Sequence, residues 1–430
     1  MDGGVPPKKE KKMTSEKIKN LDSQNVMQTY ARFDVAIEHG NGATLYSPEG
    51  KEYIDFSSGI GVNSIGYGNK KWADAIHKQA MKLQHISNLY YSEPYAKLAE
   101  ILIERTGMKN VFFANAGADA NEGMIKLARK YSFDKYCTSD SSSPVIASAR
   151  SNPDSNPRST IITLKQSFHG RTITTLAATG QEVFHNYFFP FTEGFKHVLA
   201  NDIEAIKAEM TDDVCAVLIE FIQGEGGVLP LDTEYVKNVA DLCKTNDVLL
   251  LADEVQTGVG RTGTLFAFQQ YGVTPDVLSF AKGIAGGLPL GGFMANEKCS
   301  TVLTAATHAT TFGGNPVAVA GAIEVLNQLD ESALTEVSKK GEYIKEEIKS
   351  WGIDSIGEIR GKGLMLGISL IGAVPREVAQ TCVDNGLLML TAGADALRML
   401  PPLTITYEEI DKGLIILKKA LEVHHAKRPT

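Results

Sequence analysis

The segment Val248-Leu249-Leu250-Leu251-Ala252 is pure hydrocarbon and stops abruptly at Asp253-Glu254. An unbroken apolar run of this length suits a strand covered on both faces, as in a parallel sheet flanked by helices. Comparable runs at Ala216–Glu220 and Val277–Phe280 lie to either side, separated by stretches of helical spacing. Strand and helix alternating in this way predict an α/β protein with a mainly parallel sheet. Ligands of such sheets gather where the strands end, which puts Asp253 and Gln256 at a binding site. A lysine, Lys282, follows Val277-Leu278-Ser279-Phe280-Ala281 and is flanked by apolar residues and glycine. An acid that can hold a cationic ring, with a lysine that can react with an aldehyde, is the pair that pyridoxal phosphate requires.

Other chemistries use similar fragments. An acidic pair after an apolar strand also describes the metal-binding strand of nucleotide hydrolases. Their phosphate loop has no counterpart in Gly357-Glu358-Ile359-Arg360-Gly361-Lys362-Gly363, where the spacing is wrong and no Ser or Thr follows the lysine. Gly258-Val259-Gly260-Arg261-Thr262-Gly263 matches G-x-G-x-x-G, but it trails Asp253-Glu254, whose charges repel a pyrophosphate. A glycine-rich turn is the simpler reading. Phe168 alone reads as core as readily as a stacking platform. A lone lysine is as a rule a solvated surface residue, and only its flanks set Lys282 apart.

Six segments occur in one order: Asn115-Ala116-Gly117-Ala118-Asp119-Ala120-Asn121-Glu122, Phe168-His169-Gly170-Arg171-Thr172, Gln223-Gly224-Glu225-Gly226-Gly227, Asp253-Glu254-Val255-Gln256, Phe280-Ala281-Lys282-Gly283 and Thr310-Thr311-Phe312-Gly313-Gly314-Asn315-Pro316. Together they resemble the class-III pyridoxal-phosphate aminotransferases of the acetylornithine/ornithine group, from about Val35 to Lys419. The resemblance implies a fold-type I enzyme: a large domain on a mainly parallel seven-stranded sheet, and a small α+β domain built from both chain ends. It implies that Lys282 is the Schiff-base lysine and proton carrier, that Asp253 keeps the ring nitrogen protonated, and that Gln256 meets the phenolic oxygen. Phe168 would stack on the ring, with His169 counted beside it. The N–H groups of Gly117 and Ala118, opening a helix, would bind the phosphate. Thr311 would reach the cofactor of a second subunit, so a homodimer with shared sites is expected.

The same resemblance makes Arg171 and Arg398 the readers of substrate carboxylates, and Glu225 the acid that pairs with Arg398 while an ω-amine is bound. Surface ion pairs are the plain alternative for such arginines. Gly59 falls where ornithine enzymes carry a tyrosine that contacts the free α-amine, and His169 falls where they tend to have tryptophan. The expected reaction is a ping-pong transamination from an ω-amine to 2-oxoglutarate, with N²-acetylornithine as the preferred donor, in arginine biosynthesis. Gly59 could instead serve a backbone need for positive φ. A broader ω-aminotransferase, another pyridoxal-phosphate reaction such as an aminomutase or racemase, or a binding protein without turnover are the alternatives. Ala116 and Ala118 replace hydroxyl residues common in relatives, which bears on cofactor affinity.

The rest of the chain sets limits. With 430 residues and a net charge of −8 of interspersed sign, the chain can bury a large core and does not suggest nucleic acid as a partner. No apolar run approaches the roughly 20 residues of a membrane span. Five scattered cysteines without C-x-x-C spacing suggest free thiols in a reducing, cytoplasmic setting. The histidines show no ligand spacing, so no metal is expected. Residues 1–30 read as a flexible tail, 31–75 as the N-terminal part of the small domain, 76–320 as the large domain and 321–430 as the C-terminal small domain. Within the large domain, the Ser/Asn/Pro-rich stretch 138–159 reads as a disordered insertion.

Overall fold

The computed structural model describes residues 12–136 and 158–426. The insertion assigned to 138–159 therefore lies outside the described residues, apart from its last two positions, as does the start of the tail. Three larger sheets and one two-stranded sheet organise what is described. Near the amino end, β1 (His39–Asn41), β2 (Thr44–Tyr46) and β3 (Glu52–Asp55) form an antiparallel meander. The central sheet is built from β4 (Asn110–Ala114), β5 (Thr160–Leu164), β6 (Phe195–Val198) and β7 (Val214–Ile219). A short pair, β8 (Ile222–Gln223) and β9 (Leu229–Pro230), precedes its remaining strands β10 (Leu249–Asp253), β11 (Val277–Phe280) and β12 (Gly291–Ala295).

The seven strands run in the order β4-β12-β11-β10-β7-β5-β6. All pair in parallel except β12, which is antiparallel to both of its neighbours. Every residue of β10 is buried. Each of its leucines contributes roughly 1.5–3 kcal/mol on burial, which offsets the cost of holding a carboxylate, Asp253, at the end of the same strand. Helices cover the sheet, and their starts are written locally. Asn69 caps Lys70–Lys82 by accepting from Trp72 N, and Asn315 caps Pro316–Gln328 by accepting from Val317 N and Ala318 N. The helix Gly117–Tyr136 begins at Gly117, where a helix is expected to open.

The smaller part joins the two chain ends. After the helices Pro316–Gln328 and Glu331–Ser350 come β13 (Ile356–Lys362), β14 (Met365–Leu370), β15 (Leu387–Leu388), β16 (Leu390–Ala392) and β17 (Ala396–Met399). The adjacent β15 and β16 belong to different sheets. β15 pairs in parallel with β3, Leu387 opposite Ile54, while β16 pairs with β17.

The amino-terminal tail needs a correction. Ser15–Asn25, inside the stretch read as flexible, is a helix with no buried residue. Thr14 caps it by accepting from Lys17 N. Ser15 N and Oγ both donate to the Glu49 carboxylate, and Lys19 pairs with Asp34. Those bonds to Ser15 hold the Glu49 carboxyl down at about 2. Tertiary partners thus order a segment whose own composition is unremarkable.

Candidate active site

The carboxyl ends of β4, β5, β7, β10 and β11 face one cavity of about 480 Å³. Asp253, last residue of β10, stands on its floor and is 4 % exposed. Its Oδ2 accepts from Asn121 Nδ2 at 2.7 Å and lies 2.8 Å from His169 Nδ1, while Oδ1 accepts from Val255 N at 3.0 Å. A carboxylate fixed by this many partners cannot swing away from a ligand above it. His169 Nε2 and Asn121 Oδ1 are buried without a hydrogen-bond partner.

Lys282 follows β11, which pairs with β10 so that Asp253 lies opposite Ser279. Its φ of 45° is left-handed, a costly conformation for a lysine and one met where a side chain must be aimed. Burial draws its amine below the usual lysine range; Glu225 opposes that pull and Arg398 reinforces it. A lysine so depressed is more readily a neutral nucleophile.

At the other end of the cavity the helix Gly117–Tyr136 points its first turn inward, with Gly117 and Ala118 in the wall. First-turn N–H groups have no partner within a helix and favour an anion. Gly117 is required by contact: a Cβ there would stand 2.7 Å from Val255 Cγ1. Phe168 and Gln256 complete the wall. His169 lines the cavity too, and its Nδ1 is engaged by Asp253.

Around the mouth, Arg398 on β17 forms a two-pronged pair with Glu225, Nη1–Oε1 at 2.6 Å and Nη2–Oε2 at 3.2 Å. Its Nη1 also donates to Gln256 Oε1 at 3.1 Å, linking the pair to the cavity wall. Burial works to raise the Glu225 carboxyl, but Arg398 outweighs it and holds the group below its usual range. Arg171 lines the cavity and stacks over Phe184, its guanidinium carbon 4.1 Å from the ring centre. Among the described residues no carboxylate forms an ion pair with it.

Gly59 and Thr311, like Glu225 and Arg398, are not among the residues that line the cavity. Gly59 has φ 63°, but its non-glycine neighbours Ser58 (40°) and Ile60 (64°) share the left-handed region. The backbone need for positive φ weighed for Gly59 is therefore met here, and glycine adopts this region without the strain that a side chain brings. A Cβ there would meet Asn63 Nδ2 at 3.3 Å and Val62 Cβ at 3.9 Å, leaving room on its other sides. Thr311 is exposed; its neighbour Thr310 is the one that bonds inward, accepting from Asn115 Nδ2 at 3.1 Å.

Glu220 was not singled out from the sequence. It follows β7, lines the cavity and accepts from Phe168 N at 2.9 Å and Gly224 N at 3.2 Å. Burial pushes its carboxyl up to about 7, with His169 lowering and Asp253 raising it. The signal that marks Asp253, an apolar strand ending in an acid, marks Glu220 equally. Asn121 lies in a quoted segment, but nothing in its local sequence shows that it reaches Asp253.

The site and fold agree with what known proteins show. The class-III aminotransferase family model matches residues 26–421. The acetylornithine aminotransferase of Haemophilus ducreyi is 47 % identical over 411 residues, covering 95 % of this chain and 99 % of that protein. Among solved structures, the ornithine aminotransferase of Toxoplasma gondii superposes with a TM-score of 0.89 at 30 % identity, covering 97 % of this chain and 96 % of that one. The N-acetylornithine aminotransferase of Stenotrophomonas maltophilia gives 0.78 at 34 % identity, covering 95 % and 100 %. The chain belongs to the class-III aminotransferases, which are pyridoxal-phosphate-dependent enzymes. The residues present fit that group: a fixed carboxylate, a buried reactive lysine, a helix start free to take a phosphate, and unpartnered polar atoms behind the floor.

Proposed function

We propose that this aminotransferase moves the ω-amino group of N²-acetylornithine to 2-oxoglutarate, giving N-acetylglutamate 5-semialdehyde and glutamate, a step of arginine biosynthesis. The observation that carries the reading is the Glu225–Arg398 pair beside Lys282. An amine donor and a dicarboxylate acceptor must use one site in turn. A guanidinium that Glu225 masks for the first and frees for the second lets both bind. Arg171, with no ion-paired acid among the described residues, is left to hold the carboxylate common to both. Space beside Gly59 suits a donor whose α-amine is acylated, and the names of the relatives from Haemophilus ducreyi and Stenotrophomonas maltophilia point the same way.

Lys282, Asp253, Gln256, Phe168, Gly117 and Ala118 would hold pyridoxal phosphate. When bound, it supplies an aldehyde and an electron-withdrawing ring that stabilises negative charge at the substrate carbon. Nζ of Lys282 takes the proton from that carbon and delivers it again on the far side of the exchange. Asp253, fixed by Asn121, His169 and Val255 N, would pair with the ring nitrogen and keep it protonated. Backbone donors at Gly117 and Ala118 do the work for which relatives add hydroxyls.

The active assembly in this reading is a homodimer. Leu89, Tyr90, Tyr91 and Phe312 are exposed, and Asn88 ties their two loops together through Thr310 O and Gly313 O. Such an apolar surface calls for a cover, and Thr311, exposed within it, would reach a second subunit's cofactor, as the resemblance implies. A cytoplasmic setting fits the free, buried Cys215, Cys243, Cys299 and Cys382. Among the described residues no helix is long and apolar enough to cross a membrane.

The deciding experiment measures kcat/KM with 2-oxoglutarate and a panel of N²-acetylornithine, N²-succinylornithine, free ornithine and 4-aminobutyrate. Acetylornithine should lead, with free ornithine about 10-fold or more behind. Equal use of free and acetylated ornithine would move the assignment to a broader ω-aminotransferase.

A further inference from the structure

The chemistry above makes no use of the glycine-rich turn Gly258–Gly263, yet Arg261 within it is 2 % exposed and tied to three separate segments. Its Nη1 donates to Leu364 O at 3.1 Å and to Pro401 O at 2.5 Å, and its Nη2 lies 3.5 Å from Ser58 Oγ. Its own carbonyl accepts from Leu364 N at 3.0 Å. Among the described residues no carboxylate forms an ion pair with it. Burial pulls the guanidinium down to about 9, and the charge of Asp55 opposes this from a distance. A buried cation without an ion pair is costly, and a methionine would fill the same volume without that cost. What a methionine cannot do is donate in several fixed directions at once.

The three segments explain why that matters. Leu364 opens β14. Pro401 lies just past β17, which carries Arg398. Ser58 begins a run of four residues with positive φ: Ser58 40°, Gly59 63°, Ile60 64° and Gly61 78°. Ile60 is β-branched, left-handed and 43 % exposed, so its own packing cannot hold it there. A strained course of this kind persists only when its surroundings over-determine it. Here Asp55 Oδ1 accepts from Ser57 N at 2.7 Å and Ser58 N at 3.0 Å, and Ser58 Oγ donates to Leu400 O at 2.5 Å. Beyond the run, Val62 lines the cavity and Ser64 Oγ donates to Gly283 O at 2.7 Å, next to Lys282.

We propose that Arg261 is a positioning residue for substrate recognition, pinning the left-handed run Ser58–Gly61 and the end of the Arg398 strand into one rigid rim above Lys282. The choice between donor and acceptor then falls to the Glu225 side chain, with the smaller part of the molecule held still against the larger. This rests on Arg398 reading a substrate carboxylate, as proposed above.

The test uses the holoenzyme with Arg261→Met, Arg261→Lys and Ser58→Ala. Arg261→Met should raise KM for both the amine and 2-oxoglutarate by about 10-fold or more while kcat changes by less than about 3-fold, with Arg261→Lys in between. Ser58→Ala, which removes one hydroxyl and is the variant least able to unfold the chain, should raise KM in the same direction. Added to Arg261→Met it should do little more, because both break the same pin. Hydrogen exchange should quicken in peptides spanning 56–64 and 398–403 and stay unchanged in those spanning 249–256. Unaltered KM values well below the melting temperature, full additivity of the two substitutions, or exchange rising evenly through the chain would each overturn the pin. A normal 2-oxoglutarate half-reaction in Arg398→Ala would instead overturn the carboxylate reader, while leaving the exchange pattern to judge Arg261.

Discussion

Asp253 and Lys282 hang from the ends of two adjacent buried strands, β10 and β11, whereas Arg398, Glu225 and Ser58 are held by bonds between parts of the chain far apart in sequence. The floor inherits its geometry from the sheet: once the strands pair, the acid and the lysine are neighbours. The rim has no such guarantee. Its shape depends on a buried arginine, an aspartate and a serine each finding partners in other segments. Chemistry common to a whole family can rest on the first kind of support, while substrate choice is adjusted through the second without disturbing the sheet.

The sharpest way to test the division is at the floor. Lys282→Ala should lower turnover by more than about 10⁴-fold with both substrates while the protein still folds and binds the cofactor non-covalently. Borohydride reduction of the wild-type holoenzyme should attach the cofactor to the peptide containing Lys282. An adduct on a different lysine would remove the floor from its place in the comparison.

At the rim the expected loss is smaller and one-sided. Removing a charged hydrogen-bonding partner costs about 1.5–3 kcal/mol, or roughly 10- to 150-fold. Arg398→Ala should therefore weaken the 2-oxoglutarate half-reaction by that factor and the amine half-reaction much less. Single-turnover measurements of the two halves decide it, and equal damage to both would mean that rim and floor are not separable.

The smallest effect concerns stability. Glu254, beside Asp253, is fully buried and accepts from Thr257 Oγ1, Ala267 N and Phe268 N. Burial pushes its carboxyl up to about 7 from an ordinary 4.5. The native state therefore binds its proton more tightly than the unfolded chain does. That contribution is complete below about pH 4.5 and is lost as the pH rises through 7, with a slope of at most about 1.36 kcal/mol for each pH unit in between. Denaturant titrations of the apoprotein from pH 5 to 8 should show stability declining by roughly 1–3 kcal/mol from this group. Glu254→Gln should flatten the slope but not abolish it, because Glu220 is also pushed to about 7. An unchanged slope would show that Glu254 is already ionised in the fold.

Legibility in the sequence followed the same division. The run Val277–Phe280 matched its strand residue for residue, and Ala216–Glu220 fell on Val214–Ile219, because continuous burial leaves an apolar signature. β12, Gly-Gly-Phe-Met-Ala, escaped notice: two glycines hide its strand character, and its antiparallel place between β4 and β11 comes from the sheet rather than from itself. Positive φ was weighed at Gly59 alone; its spread to Ser58 and Ile60 was hidden, since neither favours it and bonds to Asp55, Leu400 and Arg261 hold the run in place. Helix Ser15–Asn25 was missed for a related reason, its anchors being Glu49 and Asp34. Lys282, Asp253, Arg398 and Glu225 were named from ordered motifs, and the pairing of the last two is seen in the fold. Glu220 was passed over although it carried the same local sign as Asp253.

The parallel pairing of β3 with β15 also dictates an order of events during synthesis. Ile54 leaves the ribosome several hundred residues before Leu387, and at about 5–20 residues per second it waits tens of seconds for its partner. By then every strand of the central sheet has been made, and both Asp253 and Lys282 are on the emerged chain. The rim closes last, when Pro401 reaches Arg261 and Arg398 reaches Glu225. A nascent chain thus carries the reactive groups before it carries the means to choose among substrates, and selectivity is the final property the enzyme acquires.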